Sequence, residues 1–283
     1  MPEAHDKLSR IGNYVVVCEI GRGGMGTIFK AREPGTNRLV ALKVLASDLA
    51  EDPIFVRRFE HEAESASKFT HPNLIQVYRA GEENGLYFIA MEFVEGESLG
   101  VHLNREGSLS RQTALTIIIR VARALDYAWK KARLVHRDIK PDNILISRDG
   151  RVKLADLGLA KSDEAPKHMT STGTVVGSPH YISPEQARGV RDLDFRSDIY
   201  GLGCTLFHML AGWPPYQGDD YLALLRKHLE ASVPDILLAR PNCPRRVAAL
   251  LAQMLAKSPA DRPASYDKLI AELVAAREEL RTT

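Results

Sequence analysis

A chain of 283 residues, 45% hydrophobic and 26% charged, has ordinary globular composition and is long enough to bury roughly three quarters of its unfolded surface. A net charge of +2 is too small to argue for nucleic acid or an anionic membrane as partner. Three scattered cysteines (Cys18, Cys204, Cys243) with no CxxC pair argue against a disulfide framework or a zinc site, and fit a reducing compartment.

The opening "MPEAHDKLSR" has no apolar core and is not a signal peptide. From residue 14 to residue 94 the pattern alternates. "YVVVC", "TIFKA", "RLVALKV", "NLIQVY" and "LYFIAME" are short and rich in β-branched and aromatic residues, with turn residues between them. They predict a five-stranded antiparallel sheet. Between the first two strands stands "GRGGMG", residues 21–26, which fits G-x-G-x-x-G. A dinucleotide site would need a helix next, and a strand follows instead. Two readings stay open at about even odds: an ordinary hairpin turn, or a glycine loop that brings backbone N–H groups over phosphates.

In "LVALKVL" the period of two puts Ala41 and Lys43 on one face and Val40, Leu42 and Val44 on the other. A lysine inside an apolar strand requires a partner or an opening to solvent. The helix expected after Asp52 (N-cap) and Pro53 offers one. Phe55, Phe59, Glu62, Ala66 and Phe69 share a stripe, whereas Glu60 and Glu64 fall off it. A carboxylate on an apolar stripe is costly unless paired, so Lys43 and Glu62 are expected to form an ion pair. The histidine of "HEAES" has no second histidine at zinc spacing.

After the Gly-containing connector "FVEGES" the helical period takes over. Ser110 is the N-cap of a helix with the stripe Ala114, Ile117, Ile118, Val121, Ala122, Leu125. Then comes "LVHRDIKPDNILI", residues 134–146. Lys140 precedes a proline, which favours an extended loop, and the flanks "LV" and "ILI" read as short anchoring strands. Asp138, Lys140 and Asn143 lie on that loop. Asp156 follows in "ADLGLA", and an asparagine plus an aspartate can hold a hard cation through oxygen. Asp138 is left as a proton acceptor or an orienting group. Further helices are expected around 184–187, 197–211, 219–230, 245–256 and 265–280. The run "IYGLGCTLFHMLAGW" is shorter than the roughly 20 residues that span a bilayer and reads as a buried helix, so a soluble chain is expected.

"GRGGMG", "VALK", "HRDIKPDN", "DLG" and "SPE", in that order, resemble the protein kinase signature set. "HPNLIQVY", "SPEQARG" and "RSDIYGLGC" look most like the bacterial, eukaryotic-like serine/threonine kinases. The resemblance covers roughly 14–275. It implies an α+β, two-lobed protein kinase fold: a small lobe over 14–92, a hinge over 93–97, a larger helical lobe over 98–275 and an ATP cleft between them, flanked by a tail over 1–13 and a helix end over 276–283. It implies an ATP- and magnesium-dependent enzyme that phosphorylates Ser/Thr of proteins.

Residue by residue, the resemblance implies that the loop of Gly21, Arg22, Gly23, Gly24, Met25 and Gly26 covers the ATP phosphates. Ile20, Ile28, Ala41 and Leu145 would surround adenine, Met91 would be the gatekeeper, and Glu92 and Val94 would offer it backbone hydrogen bonds. Lys43 would contact the phosphates and pair with Glu62. Asp138 would be the base, Lys140 would steady the γ-phosphate, and Asn143 and Asp156 would hold magnesium. His136 is expected as a packed core histidine near Leu157, Glu185 as the partner of Arg262, and Asp198 as a clamp on the catalytic loop.

"DLG" for "DFG", "VALK" for "VAIK", "SPE" for "APE" and Ile28 for valine are departures that keep apolar or small character. Arg137 before Asp138 implies a loop ordered by phosphorylation, with Thr172 first and Thr170 second as sites modified by another copy. A homodimer through the small lobe is a further implication, as is a cytoplasmic location, in an excised domain or the cytosolic part of a longer membrane protein. Two rivals stand beside the kinase reading: a pseudokinase scaffold, which predicts loss of Lys43, Asp138, Asn143 or Asp156, and a small-molecule phosphotransferase, which predicts a short segment between "DLG" and "SPE".

Overall fold

A computed structural model describes residues 10–156, 179–218 and 220–282. The chain divides into two compact units. The first comprises residues up to Thr70 together with Ile75–Glu95, and the second comprises His71–Leu74 and everything from Gly96 on.

The first unit is an antiparallel sheet. Its strands are β1 (Arg10–Ile11), β2 (Tyr14–Gly23), β3 (Gly26–Arg32), β4 (Leu39–Leu45), β5 (Val77–Glu83) and β6 (Leu86–Glu92). They run in the order β1-β2-β3-β4-β6-β5. The alternation of "LVALKVL" decides which side each residue serves. Val40, Leu42 and Val44 join Ile11, Tyr14, Ala31, Phe88 and Ala90 in one cluster. Leu45, on the opposite face with Lys43, packs with Phe59, Ala63 and Ile89. Phe59 and Ala63 come from α2 (Pro53–Ser67), which follows the short α1 (Ser47–Ala50). Asp52 caps α2, its carboxylate accepting from Ile54 N–H at 2.8 Å, and Pro53 occupies the first turn.

Two expectations about this sheet are corrected. The two-residue β1 adds a sixth strand, pairing Arg10 with Val15 and Ile11 with Tyr14. The run "NLIQVY" enters the sheet only at Val77, because its first half is engaged in the second unit. There Asn73 Nδ2 donates to the Val152 carbonyl at 2.8 Å, Leu154 N–H donates to the Asn73 carbonyl at 2.9 Å, and Leu74 bridges Leu154. Leu74 and Ile75 are buried without being strand residues, so their apolar character serves packing and not a ladder.

The second unit contains the three-stranded sheet β7 (Gly96–Ser98), β8 (Ile144–Ser147) and β9 (Val152–Leu154), in that order. Its helices are α3 (Leu99–Glu106), α4 (Arg111–Ala132), α5 (Pro184–Ala187), α6 (Phe195–Ala211), α7 (Tyr221–Glu230), α8 (Ile236–Ala239), α9 (Arg245–Met254) and α10 (Tyr266–Thr282). Ser110 caps α4 through Thr113 N–H, and the whole expected stripe from Ala114 to Leu125 is buried. α6 is buried on nearly every side, as the largely apolar run from Ile199 on required. α3 and α8 had not been expected. No described helix is long and apolar enough to cross a membrane.

Candidate functional site

In the first unit, β2 and β3 form a hairpin whose last pair is Gly23 with Gly26, so Gly24 and Met25 make the turn. Gly26 has φ 144, and a Cβ there would run into the Val44 carbonyl oxygen; no other residue fits. Gly23 differs, because nothing lies within 4 Å of where its Cβ would be. The fold itself sets no demand for glycine at 23. Arg22 turns back to Glu19 (2.7 and 3.0 Å). Ile20 is 47% exposed. Ile28 pairs with Lys43 across the β3–β4 ladder, and Ala41 pairs with Met91 across β4–β6. Glu92 N–H donates to the Gln76 carbonyl at 2.8 Å, β6 ends there, and Val94 lies beyond the ladder.

The Lys43 Nζ is 3.4 Å from Glu62 Oε1, and both residues are buried. Two periods meet here. Lys43 takes the α2-facing side of β4 with Leu45, and Glu62 lies among Phe59, Ala63 and Ala66 on the buried face of α2. Glu60 and Glu64 are exposed.

In the second unit, the segment 134–143 is held by side chains rather than by a ladder. Arg133 ends α4 in the left-handed region at φ 52. The next donors go to α6: Asp198 Oδ2 accepts from His136 N–H and Oδ1 from Arg137 N–H, both at 2.8 Å. Tyr266 O–H adds a third bond to Oδ2 at 3.4 Å. Leu134–Val135 is therefore not a strand, contrary to expectation, whereas Ile144–Ser147 is. Burial pushes the Asp198 carboxyl up, against the pull of these donors.

His136 is fully buried, and its tautomer follows from its neighbours. Nε2 lies 3.0 Å from the Ala155 carbonyl, which can only accept, and Nδ1 faces the Asp138 N–H at 3.3 Å, which can only donate. Both ring nitrogens are thus engaged in shaping the loop, as the packed-histidine reading expected. Its expected neighbour Leu157 lies outside the described residues.

Asp138, Lys140 and Asn143 converge. Lys140 Nζ is 3.0 Å from Asp138 Oδ2. Asn143 Nδ2 donates to the Asp138 carbonyl at 2.8 Å and to Oδ2 at 3.1 Å. Both partners are acceptors, which identifies that atom as nitrogen and directs Asn143 Oδ1 the other way. Ala155 N–H donates to the Asn143 carbonyl at 2.8 Å, so Asp156 follows directly on a residue tied to Asn143. Asp156 has φ 51 and Arg137 has φ 65, conformations that such residues keep only where their surroundings hold them. Among the described residues no group of three or more His, Cys, Asp or Glu could hold a metal ion, so a cation here would rely on the amide oxygen of Asn143 beside Asp156. Leu145, on β8, pairs with Ser98 and Lys153.

Glu185 accepts from Arg262 at 2.7 and 2.9 Å and from Ser197 O–H at 2.6 Å, the pairing expected of it. Gly201 on α6 lies so close to the loop that a Cβ would stand 3.0 Å from Ile139 Cβ. Gln186 escaped the sequence reading. Its side chain both completes an N-terminal capping box with Ser183 and donates to the Arg137 carbonyl. The spacing S-x-x-Q signals the box but carries no sign of the second bond. Thr170 and Thr172 lie outside the described residues.

A sequence model of the family described as "Protein kinase domain" matches residues 14–275. The chain is 39% identical over 262 residues to serine/threonine-protein kinase PrkC of Bacillus subtilis (strain 168), covering 93% of this chain and 40% of PrkC. It is 40% identical over 279 residues to serine/threonine-protein kinase pkn3 of Myxococcus xanthus, covering 95% of this chain and 50% of that protein. The chain thus spans about 40% to 50% of the length of these curated relatives. Among solved structures, the PknI kinase domain of Mycobacterium tuberculosis superimposes with a TM-score of 0.73 at 31% identity, covering 94% of this chain and 97% of that one.

Proposed function

The chain belongs to the protein kinase domain family, and from that premise we propose that it transfers the γ-phosphoryl group of ATP to serine and threonine hydroxyls of proteins. The observation that carries the proposal is the Asp138 carboxylate, gripped by Lys140 and Asn143 on a loop whose backbone is fixed from α6. A carboxylate so held is a proton acceptor of defined direction. The residues whose absence would mark a scaffold without turnover, Lys43, Asp138, Asn143 and Asp156, are all present.

On this reading each group has one task. Asp138 orients the substrate hydroxyl and takes its proton. Lys140, already on Asp138 Oδ2, places positive charge where the transferred group gains negative charge. Lys43 grips the α- and β-phosphates while Glu62 keeps it in place. Gly23, where the fold has no need of glycine, lets the hairpin backbone approach phosphate. Ile20, Ile28, Ala41 and Met91 supply apolar surface for adenine, and Glu92 and Val94 supply backbone groups at the end of β6. Asn143 Oδ1 and Asp156 would hold a magnesium ion, which neutralises phosphate charge. Catalysis then comes chiefly from position and charge.

Asp138→Asn tests this. It should abolish transfer to a general protein substrate while leaving ATP affinity within about threefold, since Asp138 addresses the hydroxyl and not the nucleotide. Turnover is followed with labelled phosphate and binding by fluorescence. Substantial residual turnover would end the assignment of Asp138 as the base.

A further inference from the structure

Gln186 lies on α5 and makes two kinds of bond with the two ends of one amide. Its Oε1 accepts from Ser183 N–H at 3.1 Å and from Ser183 O–H at 3.0 Å. Its own N–H donates back to Ser183 Oγ at 3.3 Å, completing the capping box. Its Nε2 donates to the Arg137 carbonyl at 2.8 Å, a contact across 49 residues. The orientation of the amide is unambiguous, because Ser183 N–H only donates and the Arg137 carbonyl only accepts.

The capping box uses the oxygen end alone, and glutamate would serve it equally well. The nitrogen end therefore answers to something other than the helix. What it reaches is the peptide leading into Asp138. That peptide's carbonyl is held by Gln186, and its N–H is held by His136 Nδ1 at 3.3 Å. Arg137 stands at φ 65, in a region a long side chain keeps only under constraint. Asp198 constrains the entry to Arg137 through its N–H, and Gln186 constrains the exit through its carbonyl. The plane of the exit peptide sets the direction in which the Asp138 side chain leaves the backbone.

We propose that Gln186 is a positioning residue for phosphoryl transfer: its Nε2 fixes the Arg137–Asp138 peptide and thereby aims the Asp138 carboxylate, an inference that rests on the reading of Asp138 as the base. A misplacement of about 1 Å can cost about 100-fold in rate.

Gln186→Glu is the discriminating variant, because it keeps an acceptor for Ser183 and sets an oxygen against the Arg137 carbonyl. It should lower kcat about tenfold or more, leave the KM for ATP within about threefold, and leave the thermal midpoint near that of the parent. Gln186→Met removes both ends of the amide and should show the same loss of kcat with a lower midpoint. Ser183→Ala weakens only the box, and should lower the midpoint while kcat of the folded protein stays within about twofold.

The proposal is overturned if Gln186→Glu keeps full kcat, if kcat follows the midpoint across the three variants, or if neither Gln186 variant folds. Asp138→Asn measured alongside separates two failures. If it retains turnover, the reading of the base falls and takes this inference with it. If it is dead while Gln186→Glu is fully active, only the role of Gln186 falls.

Discussion

Glu62 in the sheet unit and Glu185 in the helical unit are both 7% exposed, and they are held differently. Glu185 meets its arginine through both oxygens at 2.7 and 2.9 Å and takes a serine hydroxyl at 2.6 Å as well. Glu62 meets Lys43 at 3.4 Å. A planar guanidinium matched to a carboxylate is the geometry of a lock, whereas an ammonium at the edge of hydrogen-bond range can still serve a third party. The difference separates a pair that serves the fold from a pair that, on the proposed reading, shares its lysine with phosphate.

Removing the lock should have the larger effect on stability. Arg262→Met strands Glu185 in a buried place and should cost about 3–5 kcal/mol in urea denaturation at neutral pH. The cost should depend on pH. Burial opposes ionisation of Glu185, but Arg262 and Ser197 outweigh it and hold its carboxyl below the usual carboxylate range. The unfolded chain therefore takes up this proton at a higher pH than the folded chain does. The stabilisation is fully present above the ordinary carboxylate value, about 4.3, and is lost as pH falls through the lower folded value. The gap between parent and variant should narrow on acidification; a gap independent of pH would mean the pair acts by packing alone.

Lys43→Met should do the reverse, costing little stability, about 1–2 kcal/mol, but most of the turnover. Its structural effect should be local. Hydrogen exchange along 54–67 should speed up, because Glu62 loses its contact with Lys43 on the buried face of α2, while the helical unit keeps its protection. Unchanged protection of α2 together with normal activity would rule out the pair in both of its roles.

Periodicity makes the Lys43–Glu62 meeting legible in the sequence. A period of two put Lys43 on one face of β4, and a period near four put Glu62 in the apolar stripe of α2. The caps Asp52 and Ser110 and the largely apolar run of α6 were legible for the same reason, because each is a local rule. The strand assigned to Asn73–Gln76 failed because "NLIQ" is apolar enough for a sheet, yet the bonds of Asn73 go to Val152 and Leu154, and Gln76 meets Glu92 at the end of β6. Leu134–Val135 failed likewise, since the donors that follow are claimed by a carboxylate 61 and 62 residues away. β1 is only two residues long and α3 only eight, too short for a period to show. Roles of Asp138, Asn143 and Asp156 were suggested by residue type and sharpened by family resemblance. Gln186 was invisible, because nothing local distinguishes an amide that caps a helix from one that also reaches across the fold.

The smallest expected effect sharpens the contrast most. Asp52 caps α2 three turns ahead of Glu62, its carboxylate accepting from Ile54 N–H at 2.8 Å at the positive end of the helix. Asp52→Ala removes that bond and should cost about 1 kcal/mol, read as a shift in the urea midpoint and as faster exchange confined to the first turn. Glu62 itself is placed by the packing of Phe59, Ala63 and Ala66, which the cap does not touch. Turnover should therefore stay within about twofold of the parent, because position at the site depends on the packed face and not on the frayed end. A tenfold loss of turnover with so small a loss of stability would show the opposite: that the long Lys43–Glu62 contact is set by how firmly the whole of α2 is anchored, and that its first turn is already part of the catalytic apparatus.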